Sequence, residues 1–328
     1  MLRGPDVDSI RFADRSVGAV IGTSWLTGSS FWVHCAAAAL FAFGVFLTLR
    51  KGAKRTDGLE RVIAFGPLFF AWPLAVFGAQ HFIFLHDVVN GVPSWMPGHL
   101  FWAVLVGTSL IAASLSMITA IKAELAALMV GVMLFLFVLL IYVPNLIQNP
   151  GDLAVTALLR DLSLSGGALA LAGTLAAEGR WRGFGWIAVL GRAFFAVAIG
   201  EFGVENFLHP NFAPVVPEPD LMTPGWIPGH MVWPYLTGAI LVACSMAMLL
   251  NWRTRLAAAV AGIAFFVLLL FLYMPMEIVH PSIAISGELD QVAQTLAMCG
   301  AALLVAGAQK SKNARLSFVG ARQDRLGS

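Results

Sequence analysis

The residues of this chain best placed to do chemistry are two carboxylates inside an apolar run. Glu201 and Glu205 lie four apart within Gly185–Leu208, a spacing that puts both on one helix face. A charged side chain at mid-membrane costs about 2.5–3.5 kcal/mol on insertion scales, so it is normally paired, protonated or functional. Glu201 is the deeper of the two and is the candidate proton-handling group. In the matching stretch Phe77–Phe82, Gln80 stands where Glu205 does and His81 follows it, so Gln80, His81 and Glu205 are expected to line one pocket.

Two further candidates come from an element written twice, W-x-P-G-H-x-x-W, at Trp95–Trp102 and Trp226–Trp233. Proline suits the first turn of a helix, where its missing N–H is not needed. His99 and His230 then fall among unpaired backbone N–H groups at the positive dipole end, which disfavours imidazolium. A neutral imidazole there can bind a metal or polarise a ligand, so both are candidate catalytic or ligating groups. The plainer account is that Trp95 and Trp226 sit at a membrane–water interface and that Pro-Gly simply starts a helix. Tyr142 and Tyr273, each in a Y-x-P sequence, complete the set. Apolar walls with a few His, Trp and Tyr groups have the general form of a ligand pocket, here one for a quinone. No metal is assigned. There is no H-E-x-x-H, and His81 and His86 are five apart, which does not place them on one helix face. Arg160 and Asp161 read as a local ion pair, and Glu288 and Asp290 as solvated loop residues.

The elements that must hold these residues are membrane spans. The chain has 328 residues, 59% hydrophobic and 12% charged, about half the charge of a soluble domain. Apolar runs near 20 residues recur, the length that crosses a bilayer. Nine spans are expected, near 30–49, 62–85, 98–119, 123–142, 154–177, 185–208, 229–250, 256–274 and 289–307. The lipid bilayer is therefore one partner. The net charge of +2 argues against nucleic acid as another. No phosphate loop, dinucleotide fingerprint or Ser-His-Asp pattern occurs. Cys35, Cys244 and Cys299 form no C-x-x-C, which argues against a built-in dithiol or an attached haem. The N-terminus lacks a good cleavable signal, and the first apolar run is long enough to stay as an anchor.

Basic residues alternate with the connections. Arg50–Arg61, Lys122, Arg180 with Arg182, Arg253 with Arg255, and the C-terminal tail carry the Lys and Arg, whereas 86–97, 143–153, 209–228 and 277–288 carry none. The positive-inside bias then places the N-terminus outside and the C-terminus in the cytoplasm of a plasma (inner) membrane. All seven histidines fall on the outer side.

Spans two to five and six to nine read as a tandem repeat. F-G-A-Q-H-F answers F-G-V-E-N-F, the two W-x-P-G-H-x-x-W elements are offset by 131 (226 − 95), and Y-V-P at Tyr142 answers Y-M-P at Tyr273. Four spans per copy leave both copies the same way up, so the repeats are parallel. The expected division is 1–60 for the tail, first span and basic loop, 61–179 and 180–308 for two four-helix bundles, and 309–328 for a basic tail. The fold class is all-α, two tandem parallel bundles plus an N-terminal helix.

Each four-span unit resembles the DoxX-like membrane proteins. The resemblance rests on the first helix ending in H-F, on V-P-x-W-x-P at Val92–Pro97 leading to Leu105–Gly107, and on Pro224–Pro228 leading to Tyr235–Gly238. It covers roughly Arg61–Gly307, with an added first span and a doubling that depart from the usual single unit. It implies a quinone-linked redox subunit working with a redox partner subunit. A small-molecule or ion transporter and a non-catalytic scaffold are the alternative expectations from the same residues.

Overall fold

The structure, a computed structural model, describes residues 29–50, 58–148, 152–178, 182–214, 222–279, 281–283 and 287–324. The expectations for the N-terminal tail, for Lys51, Lys54 and Arg55, for His280 and for the Glu288 side chain lie outside the described residues. Among those described, nine helices are long and apolar enough to cross a membrane: α1 Phe31–Arg50, α2 Leu59–Ile83, α3 His99–Thr119, α4 Ala123–Gln148, α5 Val155–Glu178, α6 Ile187–Leu208, α7 Val232–Leu249, α8 Thr254–Val279 and α9 Leu289–Gln309. The only β pairing among them is an isolated bridge between Phe212 and Met222. This is an all-α, multi-pass membrane protein.

The helices form two four-helix bundles, α2–α5 and α6–α9, with α1 outside them. Within each bundle the helices pack in chain order, and the bundles join twice, α5 against α6 and α9 against α2. Helices α5 and α9 also pack on each other, so this pair is the centre of the molecule. Glycine allows the close approach at these joints. A methyl group on Gly191 of α6 would collide with the Gly166 carbonyl of α5, and one on Gly300 of α9 would collide with the Phe70 backbone of α2. Between helices in lipid, where no hydrophobic force drives association, such small-residue contacts supply the packing.

Local backbone features recur at matched positions in the two bundles. Gly98 (φ 73) and Gly229 (φ 65) adopt left-handed conformations just before α3 and α7. At the opposite end, Ala120 and Lys122 turn α3 into α4, and Asn251 and Arg253 turn α7 into α8, all four with positive φ. An L-residue held there costs roughly 1–2 kcal/mol, which marks these hairpins as tight.

The fourth and eighth spans run past their expected ends at Tyr142 and Met274. Each passes through one π-helical turn, Val138–Tyr142 in α4 and Leu269–Tyr273 in α8, and continues as α-helix. A proline ring normally clashes with the carbonyl four residues back and ends a helix. Pro144 and Pro275 fall just after the wider π turn, and a single-turn π-bulge is a known interruption inside helices at functional sites. The last helix likewise extends to Asp324, since the segment after Gly307 holds no proline to stop it.

Candidate functional site

Helices α2–α5 of the first bundle, with α9, line a half-open cavity of about 750 Å³. Its lining is mostly apolar, among it Leu74, Phe77, Met129, Met133 and Phe137. Val88, Val92, Pro93 and Met96 also line it, from the connection between α2 and α3, which contains the short helix Leu85–Gly91. Polar groups are gathered from four elements: Gln80 and His81 from α2, Tyr142 from α4, Arg160 and Asp161 from α5, and Asp290 and Gln294 from α9. A helix of the second bundle thus completes the site in the first.

The His81 Nδ1 lies 2.8 Å from the Phe77 carbonyl one turn back. A carbonyl only accepts, so Nδ1 carries a proton, and in the neutral form of the ring Nε2 is then the acceptor. Asn206 makes the same contact in the second bundle, donating from Nδ2 to the Phe202 carbonyl at 2.6 Å. Gln80 is 7% exposed, and its Nε2 has no hydrogen-bond partner among the described residues. Leaving such a donor buried and unpaired costs about 1–3 kcal/mol. Gln294 donates from Nε2 to Asp290 Oδ2 at 2.6 Å, while its Oε1 is likewise without a partner. Asp161 is buried; its carboxylate lies 4.0 Å from Arg160 Nε, and Tyr142 lines the same cavity. The cavity is therefore largely apolar, with polar groups contributed by four helices. These groups offer an unpaired amide donor, an imidazole acceptor, a phenol, and an Arg with two carboxylates.

Of the residues singled out from the sequence, Gln80, His81 and Tyr142 line this cavity. The others lie elsewhere. Trp95 and Trp226 are each 62% exposed. His99 is half-buried at the start of α3, and His230 is exposed in the turn before α7, so only the first of the two opens its helix. The W-x-P-G-H-x-x-W elements share a local hydrogen bond instead. The Trp102 and Trp233 indoles donate to the Pro97 and Pro228 carbonyls at 3.1 and 3.2 Å. Glu201 is exposed on the outer face of α6. Glu205 lies 3.4 Å from His209 Nε2. Tyr273 is buried and donates to the Pro214 carbonyl at 2.8 Å.

Three cavity residues, Arg160, Asp161 and Asp290, stand differently from their expected positions as a local ion pair and a solvated loop residue, and Gln294 is not among the residues singled out from the sequence. Asp161 and Asp290 are buried because α5 and α9 are the central pair. A signal for this is present in the sequence. These two spans are the least apolar of the nine after α1, α2 and the rest are compared, and also the most buried. In lipid, polar side chains face the interior of the protein, so a polar span is a central one. Among the described residues no group of three or more His, Cys, Asp or Glu is arranged to hold a metal ion. Comparison with family models, with curated proteins and with solved structures finds no match for this chain.

Proposed function

We propose that the first bundle binds an amphipathic ring compound of the quinone type, and that the protein is the quinone-binding membrane subunit of a redox complex. The observation that carries this reading is the buried Gln80 amide, which lacks an acceptor on the wall of an apolar chamber. A quinone carbonyl supplies that acceptor, and its apolar tail matches Leu74, Phe77, Met129 and Met133. The volume of about 750 Å³ falls in the range of ligand pockets, about 300–1,000 Å³. Reduction of a quinone to a quinol takes two electrons and two protons. Asp161 and Asp290 are the carboxyl groups on the wall that can pass protons, and a redox partner subunit supplies the electrons. In this reading the chain is a tandem duplication of a DoxX-like unit in the plasma membrane. Its histidine-rich end faces outward and its arginine-rich end faces the cytoplasm, as the basic-residue bias directs.

The test is extraction of the protein, purified in native lipid discs, followed by chromatographic quantification of quinone. About one quinone per chain is expected, and Ala103→Trp, which projects a large ring into the chamber from a lining position, should empty it. Wild-type protein that carries no quinone and binds none on titration overturns the proposal. Substrate flux into liposomes under the same conditions would favour a transporter in its place.

A further inference from the structure

Helix α1 sits on one particular face of α2, and the corresponding face of α6 carries a carboxylate. On α2, the Trp72 indole donates to the Ala37 carbonyl of α1 at 2.7 Å, and Phe41 of α1 meets both Phe69 and Trp72. Val76, one turn further on, is buried. Phe69 in turn stacks on Phe266 of α8 at 5.6 Å. The same framework exists on the other side of the molecule, shifted by 125 residues in α6 and 131 in α4. Phe194 stacks on Phe135 of α4 at 4.9 Å, in the places of Phe69 and Phe266. The positions of Trp72 and Val76 are held by Val197 and Glu201, and both are exposed. Val197, Glu201, Val204 and Leu208 form one exposed stripe along α6, at the spacing of a single helix face.

Glu201 is seven residues from the end of α6 at Leu208, about 10 Å along the axis at 1.5 Å per residue. A glutamate side chain does not span that depth, so in this helix the carboxylate lies within the apolar layer. No described residue pairs with it. A charged group in such a place is normally matched by a partner.

We infer that the α6 face at Val197–Glu201–Val204 receives a transmembrane helix of a second protein, seated as α1 is seated on α2 and carrying an arginine or lysine at the depth of Glu201. A second copy of this chain is the poorer fit, because a symmetric contact at this stripe would set Glu201 against its own copy. The inference concerns the outer face of the second bundle and does not depend on what fills the cavity of the first.

The test uses the full chain in phosphatidylcholine vesicles with a photo-crosslinking residue at Val204. The probes are two leucine–alanine transmembrane peptides, one with a single arginine at the depth of Glu201 and one with leucine there. Crosslinking to the arginine peptide is expected at about tenfold lower peptide concentration than to the leucine peptide. Glu201→Gln, at an exposed position where folding is not at stake, should abolish that preference. Equal crosslinking of both peptides overturns the inference, and so does crosslinking of the chain to a second copy of itself in preference to the arginine peptide. Bound quinone, measured on the same sample, should be unchanged by Glu201→Gln, which separates this outcome from the reading of the cavity.

Discussion

Tyr142 and Tyr273 end the same π-helical turn in the two bundles, yet they meet different surroundings. Tyr142 looks into a chamber of about 750 Å³ together with Arg160 and Asp161. Tyr273 is sealed, its hydroxyl taken by the Pro214 carbonyl, with Ala213 beside that proline fully buried. The helices are built alike; the connections are not. The segment between α2 and α3 forms a short helix, of which Val88 and Gly91 line the cavity, whereas the longer one between α6 and α7 sends Ala213 and Pro214 inward. The comparison teaches that two tyrosines ending the same backbone turn can meet different surroundings, one lining a cavity and one bonded to a loop carbonyl. Loops tolerate insertion far better than packed helices, and here it is a loop carbonyl, that of Pro214, that takes up the Tyr273 hydroxyl.

Six substitutions break or sharpen that comparison. The largest effect is expected where the bundles join. Gly191→Ala forces the α5–α6 backbones apart and should lower stability by about 3 kcal/mol, read as a lower thermal unfolding midpoint in detergent. Gly66→Ala meets the Leu303 side chain and backbone at 3.0 Å or more, and should cost less. Equal losses at Gly191 and Gly66 would show that the closeness of the neighbouring backbone does not set the cost.

Next is the unpaired amide. Gln80→Leu keeps the volume and deletes the buried donor, so it should weaken quinone binding about tenfold while raising the stability of the empty protein by about 1 kcal/mol. A loss of both stability and ligand would show that Gln80 is bonded within the protein. The tyrosines come third. Tyr273→Phe should cost about 1 kcal/mol through the lost bond to Pro214 and leave ligand content unchanged. Tyr142→Phe should reduce ligand binding with a smaller change in unfolding. A reversed pattern would place the working site in the second bundle. Smallest is the hairpin strain. Ala120→Gly relieves a left-handed residue (φ 63) and should stabilise by about 1 kcal/mol, visible in the same melting experiment.

Much of the scaffold was legible from local chemistry. Run length and the scarcity of charge identified the nine spans, and Pro-Gly before His99 marked the start of α3. The ends of α4 and α8 were not legible, because Pro144 and Pro275 read as stops when the π turn before them is unknown. In the site, Gln80, His81 and Tyr142 could be singled out as polar residues in apolar runs. Arg160, Asp161, Asp290 and Gln294 sit near span ends, where water and a buried cavity leave the same pattern in a sequence.

The sequence by itself determined that the chain is helical, that nine of its runs are long and apolar enough to cross a bilayer, and that Pro-Gly precedes the start of α3 at His99. These follow from composition, run length and the conformational limits of proline and glycine, which act within a few residues. Only the tertiary structure decided that α5 and α9 form the centre, that Tyr142 faces a chamber while Tyr273 is sealed, and that Glu201 points away from the bundle. The physical reason is the solvent. In water an apolar stripe shows which helix face is buried, but lipid is as apolar as leucine. The inner and outer faces of a span therefore carry the same kind of side chain, and which one faces the interior is set by packing against helices distant in the chain.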